Sequence, residues 1–554
     1  MKKYLSALLS ATALLMATAC TSDEESTTSI VTVSQTTKTL QPTAGQKATF
    51  TFKSDRDWTA SSTAAWLSVS PQSGRAGEST VTATTTSINR TKSDRHGQVT
   101  IAAGTMTKNF SVSQSGKYAM FDAKEYHIGA DGGEVTMTFT SNVGENDHLA
   151  LAYQQLDWVS FDGQSRRTRA EWQGQVTKIH VEPNTDKAER AAMYAMALMD
   201  GDDDWVELDT ALIIQSGLST GYVSTDYSRD GEVTVLQEHT VGHGIPVVLM
   251  GDGFTDRDIA DSTYLNIMKK AVENLFSEEP VRSMRDYFDV YVVNAVSAND
   301  AVGSNYSTAF SCVPDFGSTN IDCDDGKITA YAEKVDRKDS LNMLTVVIVN
   351  SNAKNGVTYL FNHDGRPAQY AIALCPICES LESELFRQVL THEAIGHGLA
   401  KLADEYGYDN NGEADDDTKL ALKAAHAFGW MKNADTTDEP AKTVWWQFVG
   451  DERFADEAIG TYEGGYTYTI GIWRPTANSM MNQNDCPFNA PSRKLIYDRI
   501  RYLGENAAAS TLDEFARFDA AHKPERWEYT RTRGSGTPER IPAPPVVIER
   551  RSKR

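Results

Sequence analysis

The sequence predicts a multidomain protein, with two all-β sandwiches followed by a larger α/β domain, and three observations predict it. From about 31 to 116, short β-rich runs such as Ala48-Thr49-Phe50-Thr51-Phe52 and Val99-Thr100-Ile101 alternate with turn clusters, the pattern of an antiparallel sandwich. Residues 117–217 repeat the plan: Asp157-Trp158-Val159-Ser160-Phe161 echoes Trp66-Leu67-Ser68-Val69-Ser70, and Ile213 to Gly217 echoes Val112 to Gly116. From about 218 the texture changes. Continuous apolar runs at 245–250, 290–295 and 344–350, with a short one at 370–374, read as buried strands, and segments about 258–277 and 379–401 read as helices.

The chain opens with the parts of an export signal. Lys2 and Lys3 supply a positive start, Leu5 to Met16 an apolar core, and Ala17-Thr18-Ala19 the small residues before a cleavage point. The apolar stretch is too short to cross a bilayer as a helix. Cys20 follows, which resembles a bacterial lipobox with Ala17 where Leu is more usual. That resemblance implies acylation of Cys20 at the mature N-terminus; ordinary cleavage with Cys20 discarded or free is the alternative. Residues 20–30, acidic and Ser/Thr-rich, read as a flexible tether similar to those of Bacteroides-type surface lipoproteins. The expectation is therefore a signal peptide over 1–19 and an exported lipoprotein anchored in the outer membrane, facing the cell surface.

The formal charge of the 554 residues is −23, and becomes −25 once Lys2 and Lys3 leave with the signal. Such acidity argues against nucleic acid or an anionic membrane surface as partner, because phosphates are repelled. Besides Cys20 there are Cys312, Cys323, Cys375, Cys378 and Cys486. In an oxidising compartment Cys312 and Cys323 could close a loop, and Cys375-Pro-Ile-Cys378 could pair or redox-cycle. A single CxxC completes no four-cysteine zinc site, so a structural role is expected.

In the first sandwich, Asp57-Trp58-Thr59, Trp66 to Gly74, Arg95-His96-Gly97 and Val112 to Gly116 resemble a BACON domain over 31–116, an immunoglobulin-like module of bacterial surface proteins. The second, 117–217, is BACON-like. That family implies carbohydrate or mucin binding. Yet Trp58 and Trp66 sit in strand contexts where core packing is the commoner fate, so a spacer or stalk role is expected ahead of glycan binding.

The chemistry is concentrated in Thr391 to Tyr406, THEAIGHGLAKLADEY. Neutral imidazoles suit a borderline-soft cation such as Zn²⁺, and a neighbouring Glu can take a proton from the attacking water. His392 and His397 are the candidate metal ligands and Glu393 the candidate general base. Their spacing is unusual. Five residues on a regular helix turn about 500°, leaving the two rings about 140° apart and unable to share a metal. A one-residue π-bulge restores the alignment, with Gly396 a place to absorb it; the alternative is a helix carrying two unrelated histidines. The arrangement is similar to the HExxGH of dipeptidyl-peptidase-III-type enzymes.

The wider segment resembles the IgA-peptidase family of zinc metallopeptidases, through HE…GH followed by Leu402-Ala403-Asp404-Glu405-Tyr406. Other landmarks follow that family's order: Val248 to Thr255, Val347 to Ser351, and Trp473-Arg474-Pro475-Thr476 with Ser479-Met480-Met481. The match runs over roughly 235–525 and implies a metzincin-like fold with a methionine turn beneath a Zn²⁺ ion. Several members have HExGH, one residue shorter than here. For the third ligand, Asp404 comes seven residues after His397, so a straight helix carries it about 10 Å too far along the axis. The chain must turn back, at Gly398 or at Ala400, where a left-handed residue costs about 1–2 kcal/mol. Glu405, His426 and His363 are rivals to Asp404. Tyr466, Tyr468 and Tyr497 are candidates for stabilising the developing oxyanion, and the acidic stretch 409–417 reads as a solvated loop rather than a calcium site.

These readings give a peptidase domain over 218–531 and a loose, Pro-rich basic tail over 532–554. The expected activity is zinc-dependent hydrolysis of protein or glycoprotein substrates by metal-activated water, with a host immunoglobulin or mucin among the substrates the resemblance implies. A glycan-binding adhesin with an inactive peptidase domain, a zinc amidase acting on cell-wall peptide, and a CxxC redox protein are the rivals.

Overall fold

The computed structural model describes residues 30–524 and 544–550, apart from 33, 90, 92, 144–147, 154–155, 162–176, 200–204, 316–317, 338–341, 355 and 364–365. The signal peptide, Cys20 and the tether lie outside the described residues. The chain forms two compact units, one of residues up to 120 with 141–150 and 197–209, the other of 121–140, 151–196 and 210 onward.

In the first unit two sheets close over one core. A four-stranded sheet, in the order Ile30–Thr32, Lys47–Ser54, Gly77–Thr85, Leu67–Ser70, faces a five-stranded one, Thr37–Leu40, Met106–Gln114, Arg95–Ala103, Trp58–Ser62, Ser73–Gly74. The core follows from strand alternation: Ala48, Phe50 and Phe52 point inward from Lys47–Ser54 and meet Trp58, Val81 and Phe110. Trp58 is buried against Phe52, and its indole N–H donates to Ser79 Oγ at 3.1 Å. Trp66 is covered by the Arg95 guanidinium, 4.6 Å from the ring.

Part of that pattern recurs in the second unit. Arg190 lies 4.3 Å over Trp158 as Arg95 does over Trp66. Arg95 and Arg190 donate through Nε to Gln114 and Gln215, each at 2.8 Å. Each glutamine then donates to three backbone carbonyls, Gln114 to Pro42, Thr43 and Ser87, and Gln215 to Gly129, Ala130 and Glu182. The repeated closing motif therefore marks a buried knot that ties each module's last strand to its first loop. Asp186, Glu189 and Gly217 bond directly to the α/β part of the same unit. Asp186 accepts from Ser351 Oγ and Asn352 N, buried Glu189 accepts from Ser304 N and Oγ, and Tyr306 donates to the Gly217 carbonyl at 2.7 Å.

The α/β part is built on a seven-stranded sheet. Its strands are β1 (Val233–Gln237), β2 (Ile245–Asp252), β3 (Phe288–Val293), β4 (Leu344–Val349), β5 (Val357–His363), β6 (Arg366–Pro376) and β7 (Val546–Arg550), ordered β1-β3-β2-β4-β6-β5-β7. β2 pairs in parallel with β3 and β4, and β4 with β6; β5 runs antiparallel to β6, and β7 parallel to β5. The apolar runs of the central strands follow from burial on both faces. Val247 and Leu249 enter the core beneath α1 (Thr263–Leu275) and α3 (Glu384–Leu390), whereas Val248 and Met250 enter the one beneath α2 (Asp325–Ala332). At the end of β2, buried Asp252 accepts from Thr308 Oγ1 and from the amides of Phe310 and Cys312, fixing the loop that returns there.

Two expectations need correction. The tail is not loose throughout, because residues 546–550 form β7. The acidic stretch is solvated as expected, with Glu413 and Asp415 to Asp417 exposed, but it is not a loop: Gly407–Glu413 is a strand paired with Thr467–Arg474, and Asp415 caps α4 (Asp416–Ala427), its side chain accepting from Thr418 N. Backbone pairing and the Asp415 cap order the main chain there and leave the acidic side chains in solvent. Among the described residues no disulfide joins Cys312, Cys323, Cys375, Cys378 or Cys486. Cys375 lies buried in β6, where burial and the nearby Glu393 charge push its thiol well up, which ill suits a redox nucleophile.

Beyond the site, Arg493 of α5 (Ala490–Glu505) is fully buried between Glu457 and Asp519, the latter on α6 (Leu512–His522). It bonds Asp519 through Nε and Nη2 at 2.7 and 2.8 Å, and Glu457 through Nη2 at 2.7 Å. Arg493→Met is expected to cost about 3–5 kcal/mol, since it strands two buried carboxylates. Urea unfolding of variant and parent checks it.

Candidate metal centre

The helix that carries the histidines begins as α3 and widens. Ser383 caps α3 by accepting from Phe386 N, and from Thr391 to Leu399 the chain is a π-helix. The wider turn brings residues five apart onto one side. His392 Nε2 and His397 Nε2 lie 3.1 Å apart. The widening covers the whole run rather than one residue at Gly396. Gly396 matters for packing instead. A Cβ there would stand 2.4 Å from Met481 Sδ, so its absence lets the 479–481 turn pack directly beneath the helix.

The chain then reverses at a residue the sequence did not suggest. Ala400 is right-handed at φ −88°, and Lys401 takes the left-handed turn at φ +58°. Lys401 N donates to the His397 carbonyl and Leu402 N to that of Gly396, each one residue wider than at an α-helical end. The strain of a non-glycine there, about 1–2 kcal/mol, is held in place by its surroundings. The Lys401 side chain is buried with its ammonium 5.6 Å from the Trp430 ring, and its carbonyl accepts from Met431 N. Burial, with the Arg499 charge, pushes that amine well below its usual range.

The reversal delivers Asp404. Its Oδ1 stands 3.2 Å from both His392 Nε2 and His397 Nε2. The turn is held by Asn433, which accepts from Ala403 N and donates to the Ala403 carbonyl, both at 2.7 Å. The Asp404 carbonyl accepts from Tyr466 N, and Glu405 N donates to the Met481 carbonyl. His392, His397 and Asp404 are the group able to hold a metal ion among the described residues, with ligand atoms all within 4.8 Å of one another.

The donor set fits a cation. His392 Nδ1 faces the Met480 carbonyl at 3.0 Å and His397 Nδ1 the Leu402 carbonyl at 2.8 Å. A carbonyl only accepts, so each Nδ1 carries the proton and each Nε2 presents a bare lone pair. Two lone pairs and a carboxylate oxygen converging in a buried site repel one another unless a positive charge lies between them. A proton alone is a partial answer: burial pulls His397 down, but the Asp404 carboxylate outweighs it and holds the ring at about 9. Asp404 itself is held well below the carboxylate range, the pull of His397 and His392 overcoming burial. Its Oδ2 accepts no hydrogen bond of good geometry, though the buried Tyr406 phenol is close enough to feel its charge.

Glu393 is buried beside the cluster, and burial pushes its carboxyl above the ordinary range against the pull of both histidines. Thr358 of β5 donates through Oγ1 to Glu393 Oε2 and also reaches the Glu393 carbonyl, both at 2.8 Å. Gly356 lets β5 approach: a Cβ there would lie 3.1 Å from Glu393 Cγ.

The rival ligands are engaged elsewhere. Glu405 accepts from Ser479 Oγ at 2.6 Å and from the amides of Asn433 and Asn489, locking the methionine turn to the helix end. His426, on α4, faces the carbonyls of Met431 and Ala434 through Nε2. His363 ends β5, paired with Arg366. Among the tyrosines, Tyr497 packs on Phe515 and Phe518, and the Tyr468 hydroxyl pairs with Thr418 Oγ1. Tyr466 adjoins the cluster, its backbone left-handed at φ +52° and its phenol pushed up by burial, Tyr468 and Asp404. Sequence reasoning missed β5 and with it Thr358, although Val357-Thr358-Tyr359-Leu360-Phe361 carries a strand signal. It also missed Asn433 and Lys401, whose roles appear only when the chain folds back.

Comparison with known proteins agrees with the local geometry. Residues 234–455 match the family described as IgA Peptidase M64, and residues 27–117 that described as Viral BACON domain. No curated protein matches the chain. Among solved structures, a Bacteroides ovatus GH5 xyloglucanase in complex with a XXXG heptasaccharide is 23% identical over 16% of this chain and 19% of its own, with a TM-score of 0.15. Domains 5-6 of the S-layer protein SbsC are 15% identical over 34% of this chain and 97% of their own, with a TM-score of 0.13. Such low scores carry no argument about this protein. The family matches do: residues 234–455 are similar to the IgA Peptidase M64 family, and residues 27–117 before them to a BACON domain.

Proposed function

We propose that the protein is a zinc-dependent endopeptidase, exported and lipid-anchored through Cys20 at the bacterial cell surface, that cleaves protein or glycoprotein substrates. The observation that carries the chemistry is the convergence of His392 Nε2, His397 Nε2 and Asp404 Oδ1, with pairwise separations of 3.1–3.2 Å, beside a buried glutamate. Two neutral imidazoles and a carboxylate match the three protein ligands of catalytic zinc, which leave one position open. Zinc bound there would lower the pKa of a water and polarise the scissile carbonyl.

The chain's own residues do the rest. Thr358 anchors Glu393 Oε2, which leaves Oε1 to accept the proton of the attacking water and return it to the leaving amine. Of Tyr466, Tyr468 and Tyr497, Tyr466 is the one whose phenol feels the Asp404 charge, and it would donate to the developing oxyanion. Tyr466→Phe is expected to lower kcat by about 10²–10³-fold, the usual loss for one such donor. KM and metal content stay unchanged in steady-state kinetics and elemental analysis.

On this reading the α/β part takes a metzincin-like fold and the β-sandwich modules an immunoglobulin-like one, and the modules hold the catalytic part off the membrane. The substrate class is a host glycoprotein: an immunoglobulin, as the family name suggests, or a mucin. Mass-spectrometric cleavage mapping on a peptide and glycoprotein library, with Glu393→Ala as control, tests the function. Cuts absent in the control establish the peptidase. Binding to mucin glycans with no cuts would favour the adhesin, and digestion of peptidoglycan alone the amidase.

A further inference from the structure

Two cysteines stand at the base of a short hairpin, on opposite arms. Val313 pairs with Asp322 and Pro314 with Ile321 in antiparallel register, so Cys312 and Cys323 take the next opposed position. Asp315 N donates to the Asn320 carbonyl at 2.8 Å, which makes that pair a hydrogen-bonded one. Bonded and non-bonded pairs alternate along an antiparallel ladder, and the alternation puts Cys312 and Cys323 on a non-bonded pair. Cα atoms of such a pair stand about 4.5 Å apart, inside the roughly 4.4–6.8 Å that a disulfide spans. Their surroundings agree. The Cys312 amide turns to Asp252 Oδ2 at 3.0 Å instead of crossing the hairpin. Past the cysteines the arms stay together, Asp324 N donating to the Phe310 carbonyl at 2.8 Å. Both residues face one core, Cys312 buried in it and Cys323 packed against it.

We propose that Cys312 and Cys323 are a disulfide site, oxidised by a small-molecule or protein disulfide, whose bond clamps this hairpin against the start of β5. Cys323, only partly buried, is the sulfur the oxidant reaches first. Its thiolate attacks the oxidant's S–S bond and releases one thiol; Cys312 then attacks the mixed disulfide and releases the second. Two protons and two electrons pass from the cysteines to the oxidant. Burial pushes both thiols up, with Asp252 adding to the effect at Cys312 and Asp325 at Cys323. Sulfurs of that kind are poor leaving groups, so the bond resists reduction once made. That suits a staple rather than a redox centre that turns over.

The hairpin meets the strand beside Glu393 at two places. The Thr319 carbonyl accepts from Gly356 N at 3.1 Å, and the Ile321 carbonyl from the Tyr359 hydroxyl at 2.8 Å. Thr358, which bonds Glu393, lies between those two anchors. At its base the hairpin is tied to the end of β2 through Asp252 and runs into α2, which Asp324 caps. A bond across the base removes open states in which the arms separate and the anchors let go.

The test uses the full chain with its metal retained. Protein is held with oxidised glutathione at mildly alkaline pH, alkylated in denaturant, cut between the two cysteines and mapped by mass. The expected result is a linked peptide pair joining Cys312 to Cys323, with Cys375, Cys378 and Cys486 alkylated. Hydrogen exchange at the Gly356 amide should be at least about tenfold slower in the oxidised protein than after reduction. Cys323→Ser should exchange like the reduced parent under both conditions. Cys312 left open to alkylation after oxidation, or joined to any other cysteine, would overturn the disulfide site. A linked pair with unchanged exchange at Gly356 would overturn the clamp. Mass and exchange read both without any cleavage assay, so neither outcome depends on the peptidase activity.

Discussion

Glu393→Gln is expected to lower kcat/KM by about 10²–10⁴-fold, the contribution of a positioned proton acceptor, while the protein keeps its metal. The two effects separate because Glu393 is not among the converging ligand atoms. Its role is set by the Thr358 bond to Oε2 and by burial, which raises the carboxyl's proton affinity. Glutamine keeps the volume and can still meet Thr358, but cannot accept a proton at the free position. Steady-state kinetics with elemental analysis of the same sample measures both quantities. Loss of metal in this variant would mean that Glu393 is a ligand and the assignment of roles is wrong.

Asp404→Ala is expected to weaken metal binding by more than about 100-fold, beyond the roughly 10–100-fold that follows loss of an outer partner. Glu405→Gln serves as the contrast. Glu405 is as deeply buried and adjacent in sequence, yet it bonds Ser479, Asn433 and Asn489 rather than facing the histidines. Its replacement should cost about 1–3 kcal/mol in stability and leave metal affinity near that of the parent. Competition against a chromogenic chelator, beside urea unfolding, distinguishes the two. Metal loss in Glu405→Gln alone would reverse the choice of third ligand.

What the sequence reveals and what it hides divide along physical lines. Apolar runs such as 245–250 and 344–350 announce buried strands because a central parallel strand has no solvent face. The two copies of the Gln-Ser-Gly closing motif were legible because each ends a strand at a fixed place in its module. If His392 and His397 share a metal, their five-residue spacing requires a wider helix, and the chain is a π-helix there, over nine residues rather than as a one-residue bulge. What stayed hidden is long-range. The left-handed turn fell on Lys401, not on Gly398 or Ala400, because packing against Trp430 and bonding to Met431 override local preference. Thr358 and Asn433 act on the site across 35 and 30 residues, and no local pattern marks such partners. The strand at 546–550 was masked by its Pro-rich, basic neighbours.

The most direct test of the central claim is a zinc titration of chelator-stripped protein, with bound metal and peptide cleavage followed together. The expected result is no cleavage at zero metal and a rise that saturates at one equivalent of zinc, both lost in His392→Ala. Undiminished cleavage by the stripped protein, or saturation of metal at one equivalent that His392→Ala leaves intact, would contradict the account.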